Sequence, residues 1–244
     1  MHDNHTIAAP VADASASGLA VVVGGSGGIG AALAAQLRHE GRYAQVLALS
    51  RRSAPSLDIT DEASVQAAAS AIAATGLPLR LLLIASGVLH GPGMQPEKSL
   101  SALDPAALAQ AFAVNATGPA LLLKHLLPLL PRQGRAVCAA LSARVGSIGD
   151  NQLGGWYAYR ASKAALNQLV HSAAIELRRQ RPQALCVVLH PGTVDTGLSA
   201  PFAKAGLQVR GAELAAAQLL AVLDGLGPQH SGGFYDWQGK EVPW

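Results

Sequence analysis

Tyr159 and Lys163 stand four residues apart in Trp156-Tyr157-Ala158-Tyr159-Arg160-Ala161-Ser162-Lys163. On a helix that spacing sets a phenol and an ammonium on one face, one turn apart. Free tyrosine ionises near pH ~10, and a close cation favours the phenolate. A phenol tuned in this way gives a proton to a carbonyl oxygen, or takes one from an alcohol, near neutral pH. The pair alone is a short pattern, shared by many helices whose tyrosine is core and whose lysine is solvated. Its chemistry depends on whether the chain builds a cofactor site around it. Tyr157 has no such partner, because Ala161 stands four residues on, and it reads as a wall residue.

Gly24-Gly25-Ser26-Gly27-Gly28-Ile29-Gly30 follows an apolar run and opens a helical pattern. Between strand and helix, such a run is a phosphate loop. Gly24 permits the tight turn, Gly28 the close approach of backbone to a pyrophosphate, and Gly30 tight helix–sheet packing. The helix N-terminus then offers unpaired N–H groups to the phosphates. About 20 residues further on, where an acid would hold a ribose 2′-hydroxyl, stands Ser50-Arg51-Arg52-Ser53. Two guanidiniums and two hydroxyls suit a 2′-phosphate, so NADP(H) is preferred over NAD(H). The plainer reading points one or both arginines to solvent. Asp58 is placed either to bond an adenine amine or to cap a turn.

These groups need a scaffold, and the patterning supplies one. Apolar runs at Leu19–Val23, Val46–Leu49, Leu79–Ala85, Ala136–Leu141, Leu185–Leu189 and Gly233–Tyr235 read as strands. Helical patterns lie between them, over about Gly28–Glu40, Thr60–Thr75, Asp104–Leu130, Tyr157–Arg179 and Glu213–Leu226. Thr60 reads as the N-cap of the second helix and Pro105 as the first residue of the third. Alternation of this kind predicts an α/β single-domain Rossmann fold: a doubly wound parallel sheet of about 6–7 strands with helices on both faces. Too few residues separate Ser50 from Leu57 for a crossover helix. The segment near Leu57 is then a minimal strand, or the sheet is one strand narrower. The helix between strands 2 and 3 is absent, and the N-terminal tail or a partner subunit is expected to cover that face. Residues 1–17, rich in Ala, Ser, Asp and His, read as a mobile tail before one domain over 18–244.

Composition narrows the function classes. Half of the 244 residues are hydrophobic and 14% are charged, so a substantial core is expected. A net charge of +3, with Arg178, Arg179 and Arg181 at one helix end, gives no nucleic-acid footprint. Cys138 and Cys186 lie in apolar runs without metal-ligand spacing. They are expected to be buried thiols in a reducing cytoplasm, with no metal site. No run reaches the ~18 apolar residues of a membrane span, since Lys124, His125 and Pro128 break the richest one.

Taken together, these motifs resemble the short-chain dehydrogenase/reductase family from about Leu19 to Trp244. The glycine loop matches its Gly-x-x-x-Gly-x-Gly. Leu57-Asp58-Ile59-Thr60 is similar to its adenine-contacting segment. Asn115 matches the asparagine of its catalytic tetrad, Tyr159 and Lys163 match its tyrosine and lysine, and Pro191-Gly192-Thr193-Val194-Asp195-Thr196 its Pro-Gly segment. The Gly-Ser-Ile and Gly-Gly-Trp-Tyr-Ala-Tyr-Arg runs are closest to the C-factor and sniffer-like carbonyl reductases. Two departures stand out. The family's Asn-Asn-Ala-Gly is Ile84-Ala85-Ser86-Gly87 here, so the side-chain bonds that brace that loop are expected to be lost. The catalytic serine is either Ser142, at a strand end, or Ser147, nearer the usual spacing; strand-end placement favours Ser142.

The resemblance implies hydride transfer between the nicotinamide of NADP(H) and a small, mostly apolar ketone or aldehyde. Tyr159 would protonate the developing alkoxide, Lys163 would lower its pKa and hold the nicotinamide ribose, and Ser142 would polarise the carbonyl. Asn115 would hold a water linking Lys163 to solvent. Cofactor contacts are expected from Gly24, Ser26, Gly28, Ile29, Gly30, Arg51, Arg52, Asp58, Ile59, Ser86, Gly87, Tyr159, Lys163, Pro191, Val194 and Thr196. The segment Thr196–Val209, with Leu198, Pro201, Phe202 and Leu207, together with His90, Leu153 and Trp156, is expected at the substrate pocket. The resemblance also implies a homodimer or homotetramer assembled through the helices of Asn115 and Tyr159. Two other readings are a dinucleotide-binding regulatory or signalling protein with little turnover and an epimerase-type relative that retains NAD.

Overall fold

The computed structural model describes residues 18–199 and 209–244. The tail over 1–17, and Pro201, Phe202 and Leu207, lie outside the described residues. Six strands form one sheet in the order β2-β1-β3-β4-β5-β6, every neighbour parallel. They are β1 Leu19–Val23, β2 Gln45–Leu49, β3 Leu79–Ile84, β4 Ala136–Leu141, β5 Ala184–His190 and β6 Phe234–Asp236. β1 and β4 are buried along their whole length, which is why both read as unbroken apolar runs.

Alternate residues of each strand feed two cores. Val21, Leu82, Cys138 and Cys186 face α2 (Glu62–Ala73), α4 (Gly118–Leu126) and α5 (Tyr157–Gln180). Val22, Leu83, Val137 and Leu185 face α1 (Gly28–Glu40) and α6 (Ala212–Gly225). After β1 the chain turns to β2 on one side; after α2 it returns to β3 on the other. That reversal opens a crevice above the carboxyl ends of β1 and β3, where open α/β sheets bind ligands.

Between β2 and α2 there is neither helix nor strand, so the sheet is the narrower of the two alternatives. Leu57 and Ile59 fold into the core beneath α2 with 2% and 8% exposure. This connecting segment thus contributes two apolar side chains of its own to the cover on that side. The N-cap of α2 is Asp61, whose carboxylate accepts from the Ala63 N–H at 3.0 Å, and not Thr60. Thr60 is already engaged: its N–H and hydroxyl both donate to Asp58 Oδ1, at 2.9 and 2.7 Å.

The long helical region is not one helix either. α3 (Pro105–Phe112) passes through a five-residue π turn, Ala113–Thr117, into α4, and a 3₁₀ turn, Leu127–Leu129, ends it. A π turn inserts an extra residue and re-aims the side chains beside it. Here it carries Asn115, with no exposed surface. An 18-residue stretch within Pro105–Leu129 has a mean hydropathy of 1.4, enough to cross a membrane by length and composition alone. In the fold Leu122, Leu123 and Leu126 of this run pack into the core against the sheet.

Candidate active site

The turn after β1 brings backbone, not side chains, to the crevice. Gly24 has φ +84, a conformation open to glycine, and its carbonyl accepts from Gly27 N–H at 2.9 Å. A Cβ on Gly28 would lie 2.7 Å from the methyl of Thr196, so the loops after β1 and β5 meet there. α1 starts without a side-chain cap and with no acid in its first turn. Its leading N–H groups are thereby left for an anion. Ser26 and Gly28 are exposed and Ile29 half-buried, around that helix start.

At the end of β2, Arg51 and Arg52 are both exposed. Ser50 Oγ accepts from Arg52 N–H at 3.2 Å. Ser53 Oγ, expected beside a phosphate, is instead bound up in the loop, with partners Ser50 N and O at 2.8 Å and Pro55 O at 2.7 Å. The hydrogen bonds from Thr60 hold the Asp58 carboxyl below the usual carboxylate range, with a smaller pull from Arg51. Asp58 thus caps a turn with one oxygen. The side chain of Ile59 packs toward Gly118, where a Cβ would come within 2.9 Å of it, rather than into the crevice.

The loop after β3 is not left unbraced. Asn115 Oδ1 accepts from Val88 N–H at 2.8 Å, and its Nδ2 donates to Val88 O at 2.8 Å and to Ser162 Oγ at 3.1 Å. The bracing role of the missing asparagines passes to this one. Ser162 Oγ donates in turn to the carbonyl of Tyr159 at 2.9 Å. Gly87 is exposed beside the pair: a Cβ there would lie 3.4 Å from Asn115 Oδ1 and 3.5 Å from Lys163 Nζ. Ser86 Oγ is buried without a hydrogen-bond partner.

Tyr159 and Lys163 share one face of α5 and are 7% and 3% exposed. Lys163 Nζ lies 5.9 Å from the Tyr159 ring centre and donates to Leu141 O at 2.9 Å. Spacing alone predicts a phenol acidified by the cation, and burial acts in the opposite sense. Burial pushes the Tyr159 phenol well up and lowers Lys163 to about 8. Desolvation outweighs the cation because the ammonium turns to a backbone carbonyl and not to the phenol oxygen. Tyr159 is therefore a proton donor as the fold presents it.

Leu141, which holds Lys163, immediately precedes Ser142. Ser142 Oγ is buried with no partner, whereas Ser147 Oγ accepts from Asp150 N–H at 3.0 Å and closes a turn. The loop of Ser147 is tied away through Gly149 N–H to Trp244 O at 2.7 Å. On the far side of the crevice, Pro191 and Val194 are buried and Thr196 half-buried, with Ser199 Oγ donating to Val194 O. His90 Nε2 pairs with Gly197 O at 3.0 Å, and Trp156 meets the Tyr159 ring edge-on at 6.3 Å. Leu153 stands 92% exposed.

Several residues escaped the sequence reading. Ser162 is signalled only as a small polar residue on an otherwise buried helix face. Gly146 lets its turn lie on α5, since a Cβ there would come 2.8 Å from Lys163 Cβ. Glu97, 5% exposed, takes over the capping of α5: its carbonyl accepts from Trp156 N–H at 2.5 Å and its Oε2 from Ala158 N–H at 3.2 Å. It is needed because Trp156 adopts φ +53 and offers no side-chain cap. A carboxylate at a helix start also suits the helix dipole. A lone Glu in a loop carries no signal of that role.

Residues 18–206 match the model of the short chain dehydrogenase family. The chain belongs to that family. Among other short-chain dehydrogenase relatives, the C-signal protein of Myxococcus xanthus is 43% identical over 149 residues, 60% of this chain and 84% of that one. The 1-hydroxy-2-glutathionyl-2-methyl-3-butene dehydrogenase of Rhodococcus sp. (strain AD45) is 31% identical over 233 residues, 92% of this chain and 98% of that one. The NADPH-bound carbonyl reductase from chicken fatty liver shares the fold with a TM-score of 0.81, at 25% identity, over 93% of this chain and 99% of that one. The chain is thus an oxidoreductase of the short-chain dehydrogenase type with a crevice for a nicotinamide dinucleotide. An uncapped helix start, a glycine cradle and two orphaned hydroxyls, Ser86 and Ser142, fit such a group.

The two serines separate by mutation. Ser142→Ala is expected to lower kcat by about 10²-fold, the scale of one lost polarising donor. Ser147→Ala is expected to keep turnover within about threefold, since it removes a single turn hydrogen bond. Steady-state kinetics of both variants decide it; the opposite ranking moves the site to Ser147.

Proposed function

We propose that this short-chain dehydrogenase is an NADP(H)-dependent carbonyl reductase acting on a small, mostly apolar ketone or aldehyde. One observation carries the reading: a buried Tyr159 and the unpartnered Ser142 hydroxyl lie close to Lys163 at the crevice of a dinucleotide fold. NADPH, when bound, supplies the hydride. The α1 start and the glycine loop would hold its pyrophosphate, and Arg51 and Arg52 its 2′-phosphate. Ser86 and Gly87 would line its path, while Pro191, Val194 and Thr196 would hold the carboxamide.

The chain's own residues manage the oxygen. Ser142 Oγ donates to the substrate carbonyl and holds it in place. As the carbonyl carbon accepts hydride, the C=O π electrons collect on oxygen, and Tyr159 transfers its phenolic proton there. The products are an alcohol and the oxidised dinucleotide. Lys163 returns a proton to the tyrosinate. The gap above Gly87, between Asn115 Oδ1 and Lys163 Nζ, would admit a water that reprotonates Lys163. Trp156, edge-on to the Tyr159 ring, would give the mouth an apolar wall, which favours an uncharged carbonyl compound.

A second reading, a dinucleotide-binding protein with little turnover, is favoured by Ala85 and Ser86 in place of the usual asparagines. The same measurements separate the two. NADPH should bind at least about tenfold more tightly than NADH, the scale of one charge-assisted contact. Tyr159→Phe should keep that affinity and lose most NADPH oxidation across a panel of ketones and aldehydes. Preference for NADH removes the cofactor assignment; a wild type that binds NADPH and oxidises none establishes the second reading.

The buried lysine also sets a pH limb. Lys163 is held at about 8, so the ammonium that resupplies Tyr159 is present below that pH and lost above it. The kcat/KM for reduction should be level on the acid side and fall above about pH 8. A profile level into the ordinary lysine range, pH ~10, contradicts the assignment.

A further inference from the structure

Arg210 lies outside every motif and touches the nicotinamide side of the crevice at several points. Its backbone closes a short parallel bridge with Val194: Arg210 N–H donates to Thr193 O at 3.1 Å, and Asp195 N–H to Arg210 O at 2.8 Å. Its guanidinium then runs back beneath the same segment. Nη2 donates to Pro191 O at 2.8 Å and Nη1 to Gln218 Oε1 on α6 at 2.8 Å, and the planar group lies 3.6 Å from the Trp237 ring centre. Gly192, at φ +74, is the matching piece: a Cβ there would fall inside the guanidinium.

One side chain therefore ties the Pro191–Asp195 segment to α6 and to the turn after β6. Its three interactions use the properties that distinguish arginine from lysine: a planar fork, a stacking face and a charge that persists at any working pH. The segment it holds is the one assigned above to the nicotinamide carboxamide. The residues assigned to the other half of the cofactor, the α1 start and Arg51 and Arg52, belong to the loops after β1 and β2.

We infer that Arg210 is a positioning residue for the cofactor: it holds Pro191–Asp195 in place and so sets the affinity for the nicotinamide half of NADP(H) while leaving the adenosine half unaffected. The inference rests on the NADP(H) reading of the crevice. Arg210 would act through the loop it holds.

Two ligands separate the effects in a binding titration, by calorimetry or protein fluorescence. NADPH spans the whole crevice; 2′,5′-ADP carries only the adenosine half with its 2′-phosphate. Arg210→Ala should weaken NADPH about tenfold or more, the scale of one or two hydrogen bonds to a charged group, and leave 2′,5′-ADP within about twofold. Arg210→Lys, which retains the charge but not the fork, should fall nearer the alanine variant than the wild type. Should Arg210→Ala not fold, Gln218→Ala removes one anchor alone and should weaken NADPH by about threefold, again sparing 2′,5′-ADP. Unchanged NADPH affinity, or equal losses for both ligands, overturns the assignment. A wild type that binds neither ligand overturns the cofactor reading and this inference with it; binding of both by the wild type, with equal losses in the variant, overturns only this one.

Discussion

Asn115 has no exposed surface, and its amide joins three parts of the chain that sequence keeps far apart. It fixes the loop after β3 through both backbone groups of Val88 and reaches α5 through Ser162, which holds the carbonyl of Tyr159. The π turn that carries it is what aims it inward. Each buried group left unpaired without this amide would cost about 1–3 kcal/mol. The stronger consequence is positional. This side chain spans the loop that would border the cofactor and the helix that carries Tyr159, and with the Glu97 cap it fixes their relation.

Around that brace, burial decides the chemistry more than charge pairing does. The short spacing of Tyr159 and Lys163 suggests a cation that acidifies a phenol. In the fold, Lys163 spends its hydrogen bond on Leu141 O, and desolvation acts on both groups at once. It keeps the phenol protonated and eases the lysine toward neutrality. The proposed proton transfer to a carbonyl oxygen rests on this arrangement, in which the unpartnered Ser142 hydroxyl stands one residue from the carbonyl that holds Lys163.

Most of the architecture was legible because its causes are local. Buried parallel strands leave unbroken apolar runs, and a glycine turn between strand and helix has few other uses. The narrower sheet was open in the sequence because Leu57 and Ile59 are as apolar as strand residues, and only tertiary packing shows them folded under α2. The cap of α2 was misread by one residue because Asp58 had already captured Thr60. The π turn left no trace, since its residues continue a helical pattern. At the site, the sharing of one helix face by Tyr159 and Lys163 was legible, because it follows from helical spacing. The supports were not: Glu97, Ser162, Gly146 and Arg210 act through contacts with residues distant in sequence, and no spacing rule reports those.

Isotopic labelling follows the hydride to the carbonyl carbon. The enzyme is incubated with NADPH carrying deuterium at both C4 positions of its dihydronicotinamide ring and with a small apolar ketone, and the alcohol is examined by mass spectrometry and NMR. The account predicts an alcohol with one deuterium on its carbinol carbon. An alcohol without deuterium at that carbon, or bound NADPH that yields no alcohol from any ketone or aldehyde supplied, would contradict it.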